Sequence, residues 1–472
     1  MSILAGKFAV LGSVLKVGMK NPTGYSRALV RHRAITMTAL ASILSKGSGV
    51  LVTLISVPLT LDYLGPERFG MWMTLSSFVM LLSLTDFGVG NSLLTAVAQE
   101  SGKKSRFNLR GQISSAYAVT SGVAFLMLVV LVTIHDFIPW ATLFNVSTPV
   151  AMAEANAASV VFFIILAVLT PVGLINRVQF GLQQGFRSSL WQTFGNLAAL
   201  AAIILAAHSK VSLPWLIAAQ AGVPAVVAIV NTLDFFIRLR PDLRPTISRL
   251  ERSIMRQLST TGLLFVVLQV SAAIMFQSNA IIIAQVLNAE AVATYTVAER
   301  MFGLVGLLLS LLMMPLWPAY GEALTSGDLD WVKTTFKRSV FFSFVLSAML
   351  SSILVLLGPT LIQLWVGDVV VVPFMLILGL GVWKIIEAVG NAAAMLLNGL
   401  NEIGVQALLA VLNAVASIAA KIWLVDRFGL PGVMLATIGA YSIFALPWLG
   451  LMVQTALRRI EERQRLRLDS VL

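Results

Sequence analysis

Cysteine is absent from the 472-residue chain. That excludes disulfides, thiolate nucleophiles and Cys-ligated zinc or iron–sulfur centres, and it leaves the redox compartment open. Histidine is scarce: His32, His135 and His208 all fall outside the predicted apolar spans, which argues against an intramembrane histidine relay. Charged residues make up only 11%, against about 25% in ordinary soluble domains. No G-x-x-x-x-G-K-[ST] occurs, so the chain carries no P-loop ATPase. No metal site is indicated.

What is abundant is apolar surface. Hydrophobic residues make up 58% of the chain, and the mean hydropathy is +0.89. A water-soluble core could not hide that much. The apolar runs are continuous and about 20 residues or longer, the length a helix needs to cross a bilayer, whereas a membrane barrel would alternate in short segments. The fold class is therefore an all-α polytopic membrane protein. Twelve spans are predicted, at Thr36–Leu61, Phe69–Val97, Ile113–Ile134, Ala157–Ile175, Leu190–Ala207, Pro214–Phe236, Thr260–Leu287, Val292–Pro315, Ser339–Leu357, Val369–Leu397, Val405–Val425 and Pro431–Leu457. They divide into a six-helix bundle at 36–236, a basic linker at 237–259 and a second six-helix bundle at 260–457. Residues 1–35 carry a weakly amphipathic stretch, Ile3–Val17, read as an interfacial cytoplasmic helix. Lys7 interrupts its apolar region, which argues against a signal peptide. Residues 458–472 form a basic tail.

Charge sets the orientation. Of 33 Lys and Arg, 26 fall in segments on the side of the two termini, and Arg68, Lys210 and Arg427 alone fall in the loops opposite. Basic loops stay cytoplasmic, so both termini are expected inside and the number of spans is expected to be even. The net charge of +12 reports this orientation rather than nucleic-acid binding.

The stretch Asp62–Glu100 reads as a tight helical hairpin. Gly65-Pro66-Glu67-Arg68 forms the turn, and Asp86, Gly88, Gly90 and Asn91 interrupt the second leg. A weak echo occurs at Val286-Leu287-Asn288-Ala289-Glu290, with Tyr295 in the place of Trp72. Two repeated halves in the same orientation follow from it, related by an axis along the membrane normal.

The run Val57-Pro58-Leu59-Thr60, Tyr63-Leu64-Gly65-Pro66-Glu67-Arg68-Phe69-Gly70-Met71-Trp72 and Leu84-Thr85-Asp86-Phe87-Gly88-Val89-Gly90 resembles the N-terminal signature of bacterial polysaccharide-transporter flippases. These are the O-antigen and exopolysaccharide repeat-unit translocases of the multidrug/oligosaccharidyl-lipid/polysaccharide exporter superfamily. The hairpin carries the specific match; the twelve spans and the basic linker extend it more loosely. The resemblance implies a V-shaped pair of six-helix bundles around a central cavity in the bacterial inner membrane. It implies movement of an undecaprenyl-diphosphate-linked oligosaccharide from the cytoplasmic to the periplasmic leaflet for surface polysaccharide synthesis. It calls for no cofactor and leaves coupling to a proton or sodium gradient open. Its natural partners are the lipid-linked glycan, a glycan polymerase and a chain-length regulator.

Several charged groups fall within the apolar spans, where a charge costs roughly 2.5–3.5 kcal/mol on insertion scales. Lys46 either faces a diphosphate or snorkels to the cytoplasmic surface. Arg300, whose planar fork suits phosphate, either faces a cavity or pairs between helices. Its neighbour Glu299 needs a partner elsewhere. Lys384, Glu387 and Asn391 share one stripe, which favours a cavity-lining face over a buried structural pair. Lys46, Arg300, Lys384 and Asn391 are thus candidate substrate contacts, and Asp86, Glu299 and Glu387 candidate ion-coupling groups. Asp86 reads equally as the cap of a helix break. Gln269, Gln277, Ser278 and Asn279 make the seventh span polar, for interhelical hydrogen bonds or for sugar hydroxyls. Trp140, Trp215, Trp317, Trp365 and Trp448 read as interfacial belts.

Three rival readings stand beside the flippase. A cation-coupled drug exporter of the same superfamily favours an acidic cavity, and the intramembrane set here is not net acidic. A membrane glycan polymerase or ligase needs a larger outer domain than the predicted loop at 135–156, whose only acids are Asp136 and Glu154; an enzyme is not expected. Flipping of the peptidoglycan precursor shares the mechanism, but the two extra spans often found in that branch are not seen.

Overall fold

The structure is a computed structural model that describes residues 27–77, 86–103, 106–144, 146, 148–287, 289–366 and 372–469. The predicted amphipathic stretch Ile3–Val17 lies outside them. Among the described residues every regular element is helical, as lipid demands, because it offers no partner for an open backbone group. Among the described residues, eleven helices are long and apolar enough to cross a membrane. They coincide with eleven of the twelve predicted spans. The remaining one, Phe69–Val97, includes residues 78–85, which lie outside the described set.

The chain divides into two compact units, residues 1–263 and 264–472. The first holds α1 (Arg27–Ser77), α2 (Val89–Lys103), α3 (Arg106–Ile134), α4 (Pro149–Val172), α5 (Leu174–Gly181), α6 (Gly185–His208) and α7 (Leu213–Leu239). Helix α8 (Arg252–Val286) begins there and crosses into the second unit. That unit continues with α9 (Ala289–Met313), α10 (Leu316–Thr325), α11 (Leu329–Val366), α12 (Phe374–Leu400), α13 (Ile403–Phe428), α14 (Leu430–Phe444) and α15 (Leu446–Asp469).

The predicted turn at Gly65–Arg68 is not a break: α1 runs through it without interruption. Gly and Pro are turn signals only where the backbone lacks other support, and in a bundle neighbouring groups re-satisfy what proline frees. The two ends of α1 do pack differently. Ser42 meets Ser189 at 3.1 Å, and the Asn196 amide donates to the Ser45 carbonyl (3.1 Å) and the Ser48 hydroxyl (2.9 Å), so α1 runs parallel to α6. Small polar residues permit this close approach. Further on, Leu64, Met71, Trp72 and Leu75 join a buried core with Trp140, Phe162 and Leu166. Arg68 clasps Glu154 with two hydrogen bonds of 2.7 and 2.9 Å.

Polar links tie buried helices together elsewhere. The Gln179 amide donates to Asn231 at 2.7 Å, joining α5 to α7. Trp72 donates to Gln220, and Asn279 donates to the Tyr295 hydroxyl at 2.7 Å. Each unit therefore buries one aromatic, Trp72 in the first and Tyr295 in the second, and bonds it to an amide on another helix. Two of the predicted belt tryptophans are also core residues. Trp140 packs against Phe144 and Phe163, and Trp317 stacks on Phe265 with ring centres 5.4 Å apart. Position near a span end does not distinguish a lipid-facing indole from one turned inward. Trp215 and Trp448 are exposed.

Candidate functional site

Helices α8, α12, α13, α14 and α15 of the second unit line an open cavity of about 220 Å³. Its polar lining consists of Ser271, Glu387, Asn391, Gln406, Asn413 and Tyr441. The aromatic wall is Trp383, set edge-on to Tyr441 (5.3 Å between ring centres) and tilted against Phe276 (6.1 Å). Gly390 makes the Tyr441 position available, since a Cβ there would overlap the tyrosine hydroxyl.

Lys384 and Glu387 stand one helical turn apart on α12, and the ammonium donates to Glu387 Oε2 at 2.8 Å. Lys384 is 8% exposed. Its charge is committed to Glu387, and α9 closes the far side of the pair at Gly306. Glu387 and Asn391 face the cavity. Glu387 lies within electrostatic reach of Tyr295 and Tyr441, and Glu299 within reach of Tyr295. The site therefore offers a carboxylate and neutral amides, with its cation set behind the carboxylate. Such a lining suits hydroxyl groups and a cation or proton better than a bare phosphate.

Sequence reasoning missed a polar stripe that runs from this site, at Gln406 and Asn413, into the buried interior at Ser417 and Lys421. Gln406, Asn413, Ser417 and Lys421 follow at steps of seven, four and four along α13 and so share one face. Lys421 is 0% exposed. Its ammonium donates to the Met275 carbonyl at 2.7 Å, which also accepts from the Ser278 hydroxyl at 3.1 Å. The Asn413 amide rests on the Met275 sulfur at 3.1 Å. Asn279 Oδ1, Asn413 Oδ1 and Ser417 Oγ have no hydrogen-bond partner among the described residues. The spacing of that stripe was the available signal. Of the polar residues noted on the seventh span, Gln269 bonds back to its own helix; the Gln277 side chain is outside the described set.

The other predicted residues lie elsewhere. Arg300, on α9, is exposed, and Glu299 is half-buried; neither lines the cavity. Lys46 is exposed on α1 of the first unit. Asp86, also in that unit, caps α2: Oδ1 accepts from the Gly88 amide (2.8 Å) and Oδ2 from the Gly90 amide (3.0 Å). Phe87 and Gly88 adopt φ of 48° and 71°, and a Cβ on Gly88 would overlap the Gly262 carbonyl. Arg177 stands across Gly90 from the carboxylate.

Residues 35–323 match the family model described as polysaccharide biosynthesis protein. A Yersinia pseudotuberculosis protein named for O-antigen export is 21% identical over 422 residues, covering 88% of this chain and 95% of its own. A Salmonella typhi protein named for O-antigen transport is 22% identical over 433 residues, with the same coverage of 88% and 95%. In fold, the chain is similar to an outward-facing multidrug-resistance MATE transporter of the MOP superfamily, with a TM-score of 0.77 over 90% of this chain and 96% of that one at 14% identity. The family match covers more than half of the sequence, and so this chain belongs to the polysaccharide biosynthesis protein family.

Proposed function

We propose that the protein carries undecaprenyl-diphosphate-linked oligosaccharide repeat units from the cytoplasmic to the periplasmic leaflet of a bacterial inner membrane, by alternating access. Both termini are then cytoplasmic, a reading that the lysine and arginine asymmetry supports. The observation that carries this reading is the family match over residues 35–323. The O-antigen names of the relatives support the substrate class, and the polar cavity of the second unit supports a glycan. Asn391, Gln406 and Asn413 would bond sugar hydroxyls there, with Trp383 and Tyr441 as the apolar wall. The exposed cations Lys46 and Arg300 would receive the diphosphate, while Lys384 acts through Glu387. Glu387 and Glu299 would be the ion-coupling groups if a proton or sodium gradient drives transport, with Asp86 the weaker candidate because its oxygens are held by backbone amides. A glycan polymerase and chain-length regulator would take the product on the far side. No chemical bond changes, so the protein is a transporter and not an enzyme.

The test is flipping by Lys46→Ala, Arg300→Ala and Lys384→Ala at equal expression. Losing one charge-assisted contact to phosphate, worth roughly 1.5–3 kcal/mol, predicts at least a tenfold loss of rate for Lys46→Ala and Arg300→Ala. Wild-type rates in all three would remove the site assignment. A second reading, a cation-coupled drug exporter, draws on the carboxylate at the cavity wall and on the MATE-like fold. Raised dye resistance on overexpression would favour it.

A further inference from the structure

We propose that the segment joining α7 to α8 is a docking surface for the phosphate headgroups of anionic phospholipids. The segment is held rather than loose. Leu243 is fully buried with Phe235, Phe236 and Leu258. The Arg110 side chain donates to the Arg244 carbonyl at 2.9 Å, and the hydroxyls of Ser114 and Ser115 accept from the amides of Thr246 (3.1 Å) and Glu251 (3.4 Å). Two short 3-10 turns, Pro241–Leu243 and Ile247–Arg249, complete it.

What this fixed segment presents is locally unfavourable. Ile247 is 86% exposed. Arg252 and Arg256, both exposed, sit four residues apart at the start of α8. Like charges at that spacing repel, and cations at a helix N-terminus oppose the helix dipole. Arg238 leans on Asp234 and Arg240 forks onto Asp242, but Arg244, Arg252 and Arg256 form no ion pair among the described residues. Local rules broken together mark a surface built for something outside the chain.

Two features identify the partner as the bilayer. The exposed apolar stripe of α7, Val230, Leu233 and Ile237, leads directly to the segment, so it lies where the lipid-facing surface ends. Its excess charge is positive, complementary to anionic lipid. Each arginine near such a surface is worth about a fivefold gain in affinity.

The cysteine-free sequence allows a single label. Full-length Ser248→Cys carrying a bimane is placed in nanodiscs containing equal fractions of headgroup-nitroxide phosphatidylglycerol or phosphatidylcholine. Quenching severalfold stronger by the phosphatidylglycerol is expected. Arg244→Gln/Arg252→Gln/Arg256→Gln should abolish the preference, and the corresponding triple lysine variant should keep it, which separates charge from misfolding. Equal quenching by both lipids, or an unchanged preference in the glutamine triple, would overturn the proposal. So would loss of the preference in inorganic phosphate but not in chloride of matched ionic strength, which would mark a site for free phosphate.

Discussion

Glu387→Ala is expected to lower stability by about 3 kcal/mol, because it leaves the Lys384 ammonium buried without its carboxylate. Lys384 is 8% exposed and its bond to Glu387 is 2.8 Å. Removing both charges together is a different perturbation. Lys384→Met/Glu387→Met replaces the pair by apolar stems of similar length, and such replacements are close to neutral. The double variant should therefore unfold near the wild-type temperature, well above the single variant, when thermal unfolding is followed in detergent. Transport then separates structure from function. Glu387 faces the cavity, so the double variant should be stable and inactive. A stable double variant that translocates at the wild-type rate would reduce the pair to a structural tie. A double variant as unstable as Glu387→Ala would mean that the pair bonds further groups.

Lys421 should behave in the opposite way to an ordinary surface lysine. Its ammonium rests on one backbone carbonyl inside the second unit, where an isolated charge is costly. Lys421→Met keeps the stem and drops the ammonium, so the unfolding temperature should stay level or rise. The Met275 carbonyl keeps the Ser278 hydroxyl. Lys421→Ala instead leaves a cavity and should cost about 3 kcal/mol, within the range for large-to-alanine core changes. If Lys421→Met is as damaging as Lys421→Ala, the ammonium itself holds α13 to α8, and the polar stripe is a structural network.

The spans were legible because lipid imposes one rule on every residue of a long segment, and eleven apolar runs meet it without ambiguity. The Lys384–Glu387 pair was legible for a similar reason, since a spacing of three puts both on one helix face whatever the tertiary structure. Contacts across the sequence were not. Arg68 and Glu154 are 86 positions apart, and each alone looks like an ordinary loop charge. Lys421 was not singled out, although its stripe with Gln406, Asn413 and Ser417 was there to be counted. The turn at Gly65–Arg68 misled because glycine and proline report local backbone preference, and packing overrides preference. Trp140 and Trp317 misled because an indole at a span end suits an interface and a core alike.

The central claim is translocation, and leaflet sidedness tests it most directly. Radiolabelled undecaprenyl-diphosphate oligosaccharide would be followed in a deletion strain with and without this gene. The account predicts that labelled repeat units reach the outer leaflet only when the gene is present. Unpolymerised units already outside without it would contradict the account and bring drug export to the front.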